Sequence, residues 1–219
     1  MAGSKQYDRI ELLDRAIELF RHQGFTATST SDLAETLGVN RKSMYAEFGS
    51  KQGLFEAALQ RYNDHHLSRV LAAIEAPDAG VEAIREAFGN YASAGRGWAR
   101  GRGCLLCNTA VERAALDPGA RHHVEAYLER LTRAFRDALG NAQRTAALDP
   151  HADLDELAAF LTLALVGVAA LVRAEAPPEL IESATRVTLA ALDRDDRDRE
   201  GRRNPAGGDR STGHPSSIR

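Results

Sequence analysis

The stretch FRHQGFTATSTSDLAETLGVNRKSMYAEFGSKQGLF, residues 20–55, decides the fold of the N-terminal part of the chain. Ser29 and Asp32 have the spacing of a capping box, which predicts a helix of about two turns that stops at Gly38. A second short helix is predicted over 41–48, after a three-residue turn that begins with this glycine. Two short helices joined by such a turn, after a longer supporting helix, are typical of a helix-turn-helix.

The rest of the chain also shows helical periodicity. A first helix, ending near Gln23, is predicted from one apolar stripe: Ile10, Leu13, Ala16, Ile17 and Phe20. Beyond it, apolar spacing and capping signals predict helices at about 51–75, 80–94, 104–116, 118–140, 153–175 and 177–193. The glycine-rich and arginine-rich segment Arg96–Gly103 is expected to be a loop. No stretch shows sustained alternation of apolar and polar residues, so the predicted fold class is all α.

This pattern divides the chain into three parts. Residues 1–50 are expected to form the helix-turn-helix domain, and residues 51–193 a larger helical domain. Residues 194–219 carry mixed charges, glycine, proline and serine with almost no apolar side chain, so this tail is expected to be disordered.

Composition narrows the class of protein less than the motifs do. The chain has 219 residues, a net charge of −3 and two cysteines, and residues 1–62 hold eight basic and eight acidic side chains. A basic face can hide within such a balance, so net charge excludes neither nucleic acid nor membrane. The two cysteines and the polar N-terminus predict a cytoplasmic protein. The apolar run 157–172 is shorter than the ~18 residues of a spanning helix, so we expect a buried helix and no membrane partner.

The predicted helix over 41–48 carries polar side chains around two apolar ones, Met44 and Phe48. Its N-terminal end holds Arg41 and Lys42, which can approach phosphates or guanine edges, and the helix amides there also attract phosphate. Taken singly, each of these residues fits an ordinary solvated face equally well. The candidate DNA contacts are Thr28, Ser29, Asn40, Arg41, Lys42, Ser43, Tyr45, Ala46, Glu47 and Lys51.

Residues 10–55 resemble the DNA-binding domain of the TetR/AcrR family of bacterial repressors. The resemblance is carried by Phe20, Gly24-Phe25, Thr28-Ser29, Ala34, Gly38-Val39, Ser43-Met44-Tyr45, Phe48, Gly49-Ser50-Lys51 and Leu54-Phe55. It implies that Tyr45 and Lys51 hold phosphates, while the groove is faced by Asn40, Arg41, Lys42, Ala46 and Glu47. It also implies a homodimer that binds double-stranded operator DNA, with effector binding and dimerisation in the larger helical domain. Ala46 and Glu47 depart from the aromatic or histidine residues often found there, which leaves the operator sequence open.

A second motif starts the helix predicted at 104–116. The segment 102–112, RGCLLCNTAVE, is similar to a subgroup of the family with the pattern RGCLL-x-N-x-A-x-E. In some members of that broad group, the cysteine at the position of Cys104 senses electrophiles or oxidants. A position near a helix N-terminus, with Arg100 and Arg102 close in sequence, favours the reactive thiolate. The alternative is that Cys104 and Cys107 are small buried residues that fill space.

Four interpretations compete for the larger domain. One is an effector cavity lined by Phe88, Tyr91, Trp98, Cys104, Cys107, Asn108, Tyr127, Leu131, Phe135 and Phe160. A thiol-dependent redox enzyme that uses Cys104 and Cys107 is the second, although such dithiols normally follow a strand. A zinc site formed by Cys104 and Cys107 with His122 and His123 is the third, but its spacing matches no finger, and we expect no metal and no cofactor. The fourth is a cysteine switch at Cys104, and the alternative to the cavity is that its residues are ordinary core residues.

The leading hypothesis is therefore a homodimeric, ligand-responsive transcriptional repressor and not an enzyme. Its dimer interface is predicted from 157–172 and from the apolar residues of the following helix, which are Leu180, Ile181, Ala184, Val187, Leu189 and Leu192. Two such helices from each subunit would make a four-helix interface. A thiol-dependent enzyme stays the alternative, and a helical interaction module with a relic helix-turn-helix is a weaker third.

Overall fold

The computed structural model describes residues 8–97, 99–112 and 118–193, and every regular element within these ranges is helical. The predicted tail 194–219, Trp98 and the predicted end of the helix at 104–116 lie outside the described residues. The helices are α1 (Arg9–Gln23), α2 (Thr30–Leu37), α3 (Arg41–Phe48), α4 (Lys51–Arg61), a π-helical segment (Tyr62–Leu67), α5 (Ser68–Leu71), α6 (Val81–Ala94), α7 (Leu105–Glu112), α8 (Pro118–Arg144), α9 (Leu154–Arg173) and α10 (Pro178–Ala190). The all-α expectation is confirmed.

Short polar side chains start the small N-terminal helices. The Ser29 side chain accepts from the Asp32 amide at 3.1 Å, and Asp32 accepts from the Ser29 amide at 2.8 Å, which completes the predicted capping box. Asn40 caps α3 in the same way by accepting from the Ser43 amide at 2.8 Å. These caps matter because each helix spans only eight residues, too few to be stable without tertiary packing. Packing comes from α1, α2, α3 and α4, which bury Ile17, Phe20, Leu33, Met44 and Leu54.

The long helix predicted over 51–75 is interrupted in the structure. Between Tyr62 and Leu67 the backbone is π-helical, and regular helix ends at Leu71. Tyr62 and Leu67 are five residues apart and are both buried. An α-helix would turn residues at that spacing toward different faces, whereas a π-helical turn brings them onto one side. Long-range burial therefore overrides the regular periodicity that the sequence suggests.

The larger helical part is built on α8 and α9. Helix α8 packs against α9, with α6 and α7 against both and α10 against α6 and α9. Phe88 and Phe135 stack at 6.0 Å between ring centroids in its core. Helix α8 continues to Arg144, four residues beyond the predicted end, because Gly140 lies within the helix and does not terminate it.

Helix α9 is the one helix in the described part of the chain that is long and apolar enough to cross a membrane. Only 39% of its most apolar window is buried, which is less than the sequence-based expectation of a fully buried helix. One face packs on α6, α7, α8 and α10, and the other leaves Phe160 and Leu163 exposed. The structure therefore shows an apolar face of α9 that this chain does not itself cover.

Candidate functional site

Helix α3 presents a polar face and a buried face. Met44 and Phe48 are buried in the core, where α3 packs against α2 and α4, while Arg41, Lys42 and Ala46 are exposed. Tyr45 is 37% exposed, which leaves its ring at the surface. The Arg41 guanidinium donates to the Ser31 hydroxyl, so it lies against the start of α2. The exposed face thus offers two cations and a phenol beside the N-terminal end of a helix, where anions are attracted.

Three of the predicted DNA contacts point elsewhere. The Glu47 carboxylate pairs with Arg9 of α1 at 3.1 Å, and its side chain is only 9% exposed, so the prediction that it faces the groove is wrong. Thr28 is buried, and its hydroxyl donates to the Gly24 carbonyl at 2.5 Å. The exposed Ser29 uses its hydroxyl to cap α2. Thr28 and Glu47 therefore hold the domain together from within.

Lys51 lies at the first position of α4, next to the C-terminal end of α3. Its ammonium group lies 4.1 Å from the centroid of the Phe25 ring, a cation–π distance that fixes the direction of the side chain. The α3–α4 turn is tight, because a Cβ on Gly53 would lie 2.2 Å from the Phe48 carbonyl oxygen. Glycine at this position therefore allows α3 and the N-terminus of α4 to approach each other closely.

The carboxylates of α1 are paired with arginines outside α3. Arg61 of α4 binds Asp14 through two hydrogen bonds of 2.7 Å, and this contact lowers the pKa of the Asp14 carboxyl. Glu18 accepts from Arg21 at 2.9 Å and from Arg102 at 3.1 Å. A balanced total charge is thus compatible with a locally cationic α3, since the carboxylates of α1 are already compensated.

A cavity of about 450 Å³ lies where the N-terminal helices meet the larger helical part. Two of the predicted effector residues, Tyr91 and Cys104, line it. Sequence reasoning missed the other lining residues, which are Arg21, Tyr62, Arg69, Val70, Asn90, Ser93, Ala94, Ala99, Gly103, Ala169 and Val172. Arg21 belongs to α1 and Tyr62 to the π-helical segment, and neither position carries a local signal that points to a cavity.

Of the other predicted effector residues that the structure describes, none is among the residues that line this cavity. Phe88, Leu131 and Phe135 are fully buried, as expected if they are ordinary core residues. Tyr127 is buried with its hydroxyl 3.6 Å from the Cys107 sulfur. Asn108 donates its side-chain amide to the Arg102 carbonyl at 2.8 Å and so braces the preceding loop. Phe160 is 42% exposed on the outer face of α9, so its assignment to the cavity is wrong.

The two cysteines are free, buried and close together. A hydrogen bond from the Cys107 thiol, assisted by helix amides and the Tyr62 hydroxyl, outweighs burial and lowers the pKa of Cys104 to about 6. The same pairing, together with burial, raises the pKa of Cys107. Arg100 and Arg102 pair with Glu175 and Glu18 instead of the thiol, so their predicted effect on Cys104 is wrong, whereas the predicted effect of the helix N-terminus is present as the amide hydrogen bonds. Within the described ranges no three His, Cys, Asp or Glu side chains are grouped to hold a metal ion, His122 and His123 included.

Arg21 connects the cavity to α1. Its side chain is 1% exposed, and its Nε and Nη2 atoms donate to the Gly103 carbonyl at 3.2 and 2.7 Å. The guanidinium also lies over the Tyr62 ring at 5.8 Å. A buried guanidinium needs such partners because an uncompensated charge would be very costly there. The Cys104 end of α7 is thereby joined to α1.

Comparison with known proteins agrees with this geometry. Residues 12–58 match a family model described as bacterial regulatory proteins, tetR family, and residues 80–188 match the tetracyclin repressor-like C-terminal domain. The chain is 30% identical over 194 residues to the HTH-type transcriptional regulator YezE of Bacillus subtilis, covering 88% of this chain and 100% of YezE. It is 29% identical over 186 residues to the transcriptional repressor ComR of Escherichia coli, covering 84% and 89% of the two chains.

A solved structure extends the comparison to three dimensions. A cysteine-substituted form of the TetR family regulator CifR, complexed with 26-bp double-strand operator DNA, superposes with a TM-score of 0.77. The two sequences are 25% identical, and the match covers 86% of this chain and 98% of that one. With the helix-turn-helix and the larger helical part both matched, the chain belongs to the TetR family of bacterial transcriptional regulators.

Proposed function

We propose that this regulator is a cytoplasmic homodimeric repressor that leaves its operator when a small molecule or an electrophile enters the cavity. The observation that carries the proposal is the composition of the cavity wall. Arg21 from α1 and Cys104 from the start of α7 line the same space, so a guest there touches the DNA-reading part of the chain directly. Repressors related to this chain, such as ComR, support the direction of control.

We assign DNA reading to residues 1–50, and effector binding and dimerisation to residues 51–193. Within the first part, Arg41, Lys42, Tyr45 and Ala46 would meet the major groove and its flanking phosphates. Lys51 and the α4 amides would bind phosphate on one side of the groove. The CifR complex with operator DNA supports this assignment.

The exposed apolar face of α9 and α10 is proposed as the dimer interface. Phe160 and Leu163 on α9, with Leu180 and Val187 on α10, are 42% to 71% exposed. A contiguous apolar face is unfavourable in water and marks an interaction surface. Pairing it with the same face of a second copy would form a four-helix interface and hold two recognition helices for one palindrome.

We propose a soft electrophile, such as an α,β-unsaturated carbonyl compound, as one class of effector. The Cys104 thiolate would form a carbon–sulfur bond at the β-carbon, and the displaced π pair would move to the carbonyl oxygen as an enolate. That enolate would then take a proton from solvent or from the neighbouring Tyr62 hydroxyl, which completes the addition. The lowered pKa of Cys104 supports this chemistry, because the thiolate is the nucleophile.

DNA binding is tested first. Operators are selected from random double-stranded DNA with the full-length protein, and affinities of wild type, Lys51→Ala and Tyr45→Phe are measured at several salt concentrations. Lys51→Ala should weaken binding to all sequences alike and reduce the salt slope by about one per protomer. Operator binding that neither substitution weakens would contradict the assignment.

Release by an electrophile is tested with N-ethylmaleimide. The reagent should lower the operator affinity of the wild type and leave Cys104→Ser bound, while mass spectrometry should place the adduct on Cys104. Equal release of both proteins would contradict covalent control. A reversible guest of the same cavity would then be the effector.

A thiol-dependent redox enzyme is the second candidate, because the pKa of Cys104 is lowered and that of Cys107 is raised. Burial opposes it, since both residues are under 5% exposed and a protein disulfide would not reach them. Turnover of a disulfide substrate, without sequence-specific DNA binding, would favour the enzyme over the repressor.

A further inference from the structure

The turn between α1 and α2 is bound by the larger helical part through one carboxylate. Glu112, the last described residue of α7, accepts from the Phe25 amide at 3.1 Å and from the Thr26 amide at 2.6 Å. These partners are 87 and 86 residues away in sequence. Hydrogen bonds from amides to an ionised carboxylate are short and strong, so this contact restrains the turn that leads directly into the helix-turn-helix.

Gly24 makes room for this carboxylate. Its φ of +81° lies in a region that side chains disfavour, and a Cβ at this position would lie 2.7 Å from the Glu112 Oε2 atom. The glycine therefore serves both as the C-terminal cap of α1 and as the space into which Glu112 fits.

Helix α7 contacts the N-terminal part at its other end as well. The Gly103 carbonyl, just before α7, accepts from the buried Arg21 of α1, and Cys104 follows it in the cavity wall. Arg173 of α9 adds a third tie by donating to the His22 carbonyl at 2.9 Å. A single helix of eight residues thus spans from the cavity to the turn before α2.

We propose that Glu112 is a positioning residue that sets the angle at which the helix-turn-helix is held against the larger helical part. The proposal rests on the proposed function, because the angle matters only if the helix-turn-helix reads an operator. Glu112 binds the turn that immediately precedes α2 and α3. The angle between the helix-turn-helix and the larger helical part therefore determines the separation of the two recognition helices in a dimer. That separation must match the distance between operator half-sites.

The test compares operators that differ only in half-site spacing. The selected palindrome is rebuilt with its half-sites one base pair closer and one base pair farther apart, and binding is measured for wild type, Glu112→Gln and Glu112→Ala. Glu82→Gln is the matched control, because it removes the same charge from a side chain that is 92% exposed on α6. Amide hydrogen exchange at Phe25 and Thr26, thermal unfolding and dimer mass are measured on the same proteins.

Wild type and Glu82→Gln should prefer the selected spacing by about tenfold or more, and Glu112→Ala should reduce this preference to about threefold or less. Exchange at both amides should be faster in the Glu112 variants by about tenfold, with dimer mass unchanged. A spacing preference that is unchanged in both Glu112 variants, or equal weakening on all three operators, would overturn the proposal. Unchanged amide exchange at Phe25 and Thr26 would also overturn it. Because this measurement needs no DNA, it distinguishes failure of the Glu112 proposal from failure of the proposed function, in which the protein selects no operator.

Discussion

At the scale of single residues, the Cys104 and Cys107 pair shows how the pKa of a buried thiol can be lowered. Burial alone would raise the pKa of a cysteine, yet at Cys104 the hydrogen bond from Cys107 outweighs it. The proton is thereby shared unequally, with the pKa of Cys107 raised in compensation. The chemistry of the site depends on the neighbouring thiol more than on any nearby arginine.

The pH dependence of alkylation tests this origin of the lowered pKa. Because the thiolate is the reactive form, the rate at Cys104 should rise as the pH increases through about 6 and level off above it. Cys107→Ala removes the largest stabilising contact, so its inflection should move to higher pH. The rate is followed by mass spectrometry with N-ethylmaleimide, and Cys104→Ser is the control for the modified site. An inflection that does not move would show that helix amides and Tyr62 suffice.

At the scale of elements, the geometry of the helix-turn-helix depends on the turn between α3 and α4. The Phe48 carbonyl lies so close to Gly53 that a Cβ there would approach it to 2.2 Å. Since the obstructing atom belongs to the backbone, a rotamer change cannot relieve the clash, and α3 must move relative to α4. The same turn places Lys51 at the first position of α4, where its ammonium group lies over the Phe25 ring.

Gly53→Ala should therefore lower the free energy of unfolding by about 1–3 kcal/mol and weaken operator binding. Gly89→Ala is the matched control in α6, because a Cβ added at Gly89 would meet no other atom within 4 Å. That substitution should stabilise the protein by about 0.5–1 kcal/mol through helix propensity, with unchanged DNA binding. Thermal unfolding and operator titration measure both effects, and a Gly53→Ala protein as stable as Gly89→Ala would refute the close approach.

At the scale of the whole molecule, the uncovered face of α9 and α10 predicts the assembly. Leu163→Glu places a charge on a residue that is 71% exposed in one chain but would be buried between two. Sedimentation at micromolar concentration should show a dimer for wild type and a shift toward monomer for this variant, with weaker operator binding. Val111→Glu, at a residue 86% exposed on α7, should leave the dimer mass unchanged. A wild-type monomer would remove the basis for a palindromic operator.

The amino-acid sequence by itself determined most of the helices and the helix-turn-helix. The capping residues Ser29, Asp32 and Asn40 accept hydrogen bonds from amides three positions away, and apolar periodicity is likewise a local signal. Met44 and Phe48 mark the buried face of α3. The sequence therefore predicted that Arg41, Lys42 and Tyr45 lie on the exposed face. The sequence predicted most helix starts. It did not predict the π-helical interruption at Tyr62–Leu67, which depends on burial against distant elements.

Only the tertiary structure decided which residues surround the cavity and how the cavity is connected to the helix-turn-helix. Arg21 meets the Gly103 carbonyl across 82 residues, and Glu112 meets the Phe25 amide across 87. Aromatic composition suggested Phe88, Phe135 and Phe160 for the cavity, but two of them fill the core and the third faces outward. Local sequence carries no information about such pairings, because a side chain at a helix surface can face core, cavity or solvent depending on what packs against that helix. The contacts that join the cavity to the helix-turn-helix are thus a property of the packed molecule.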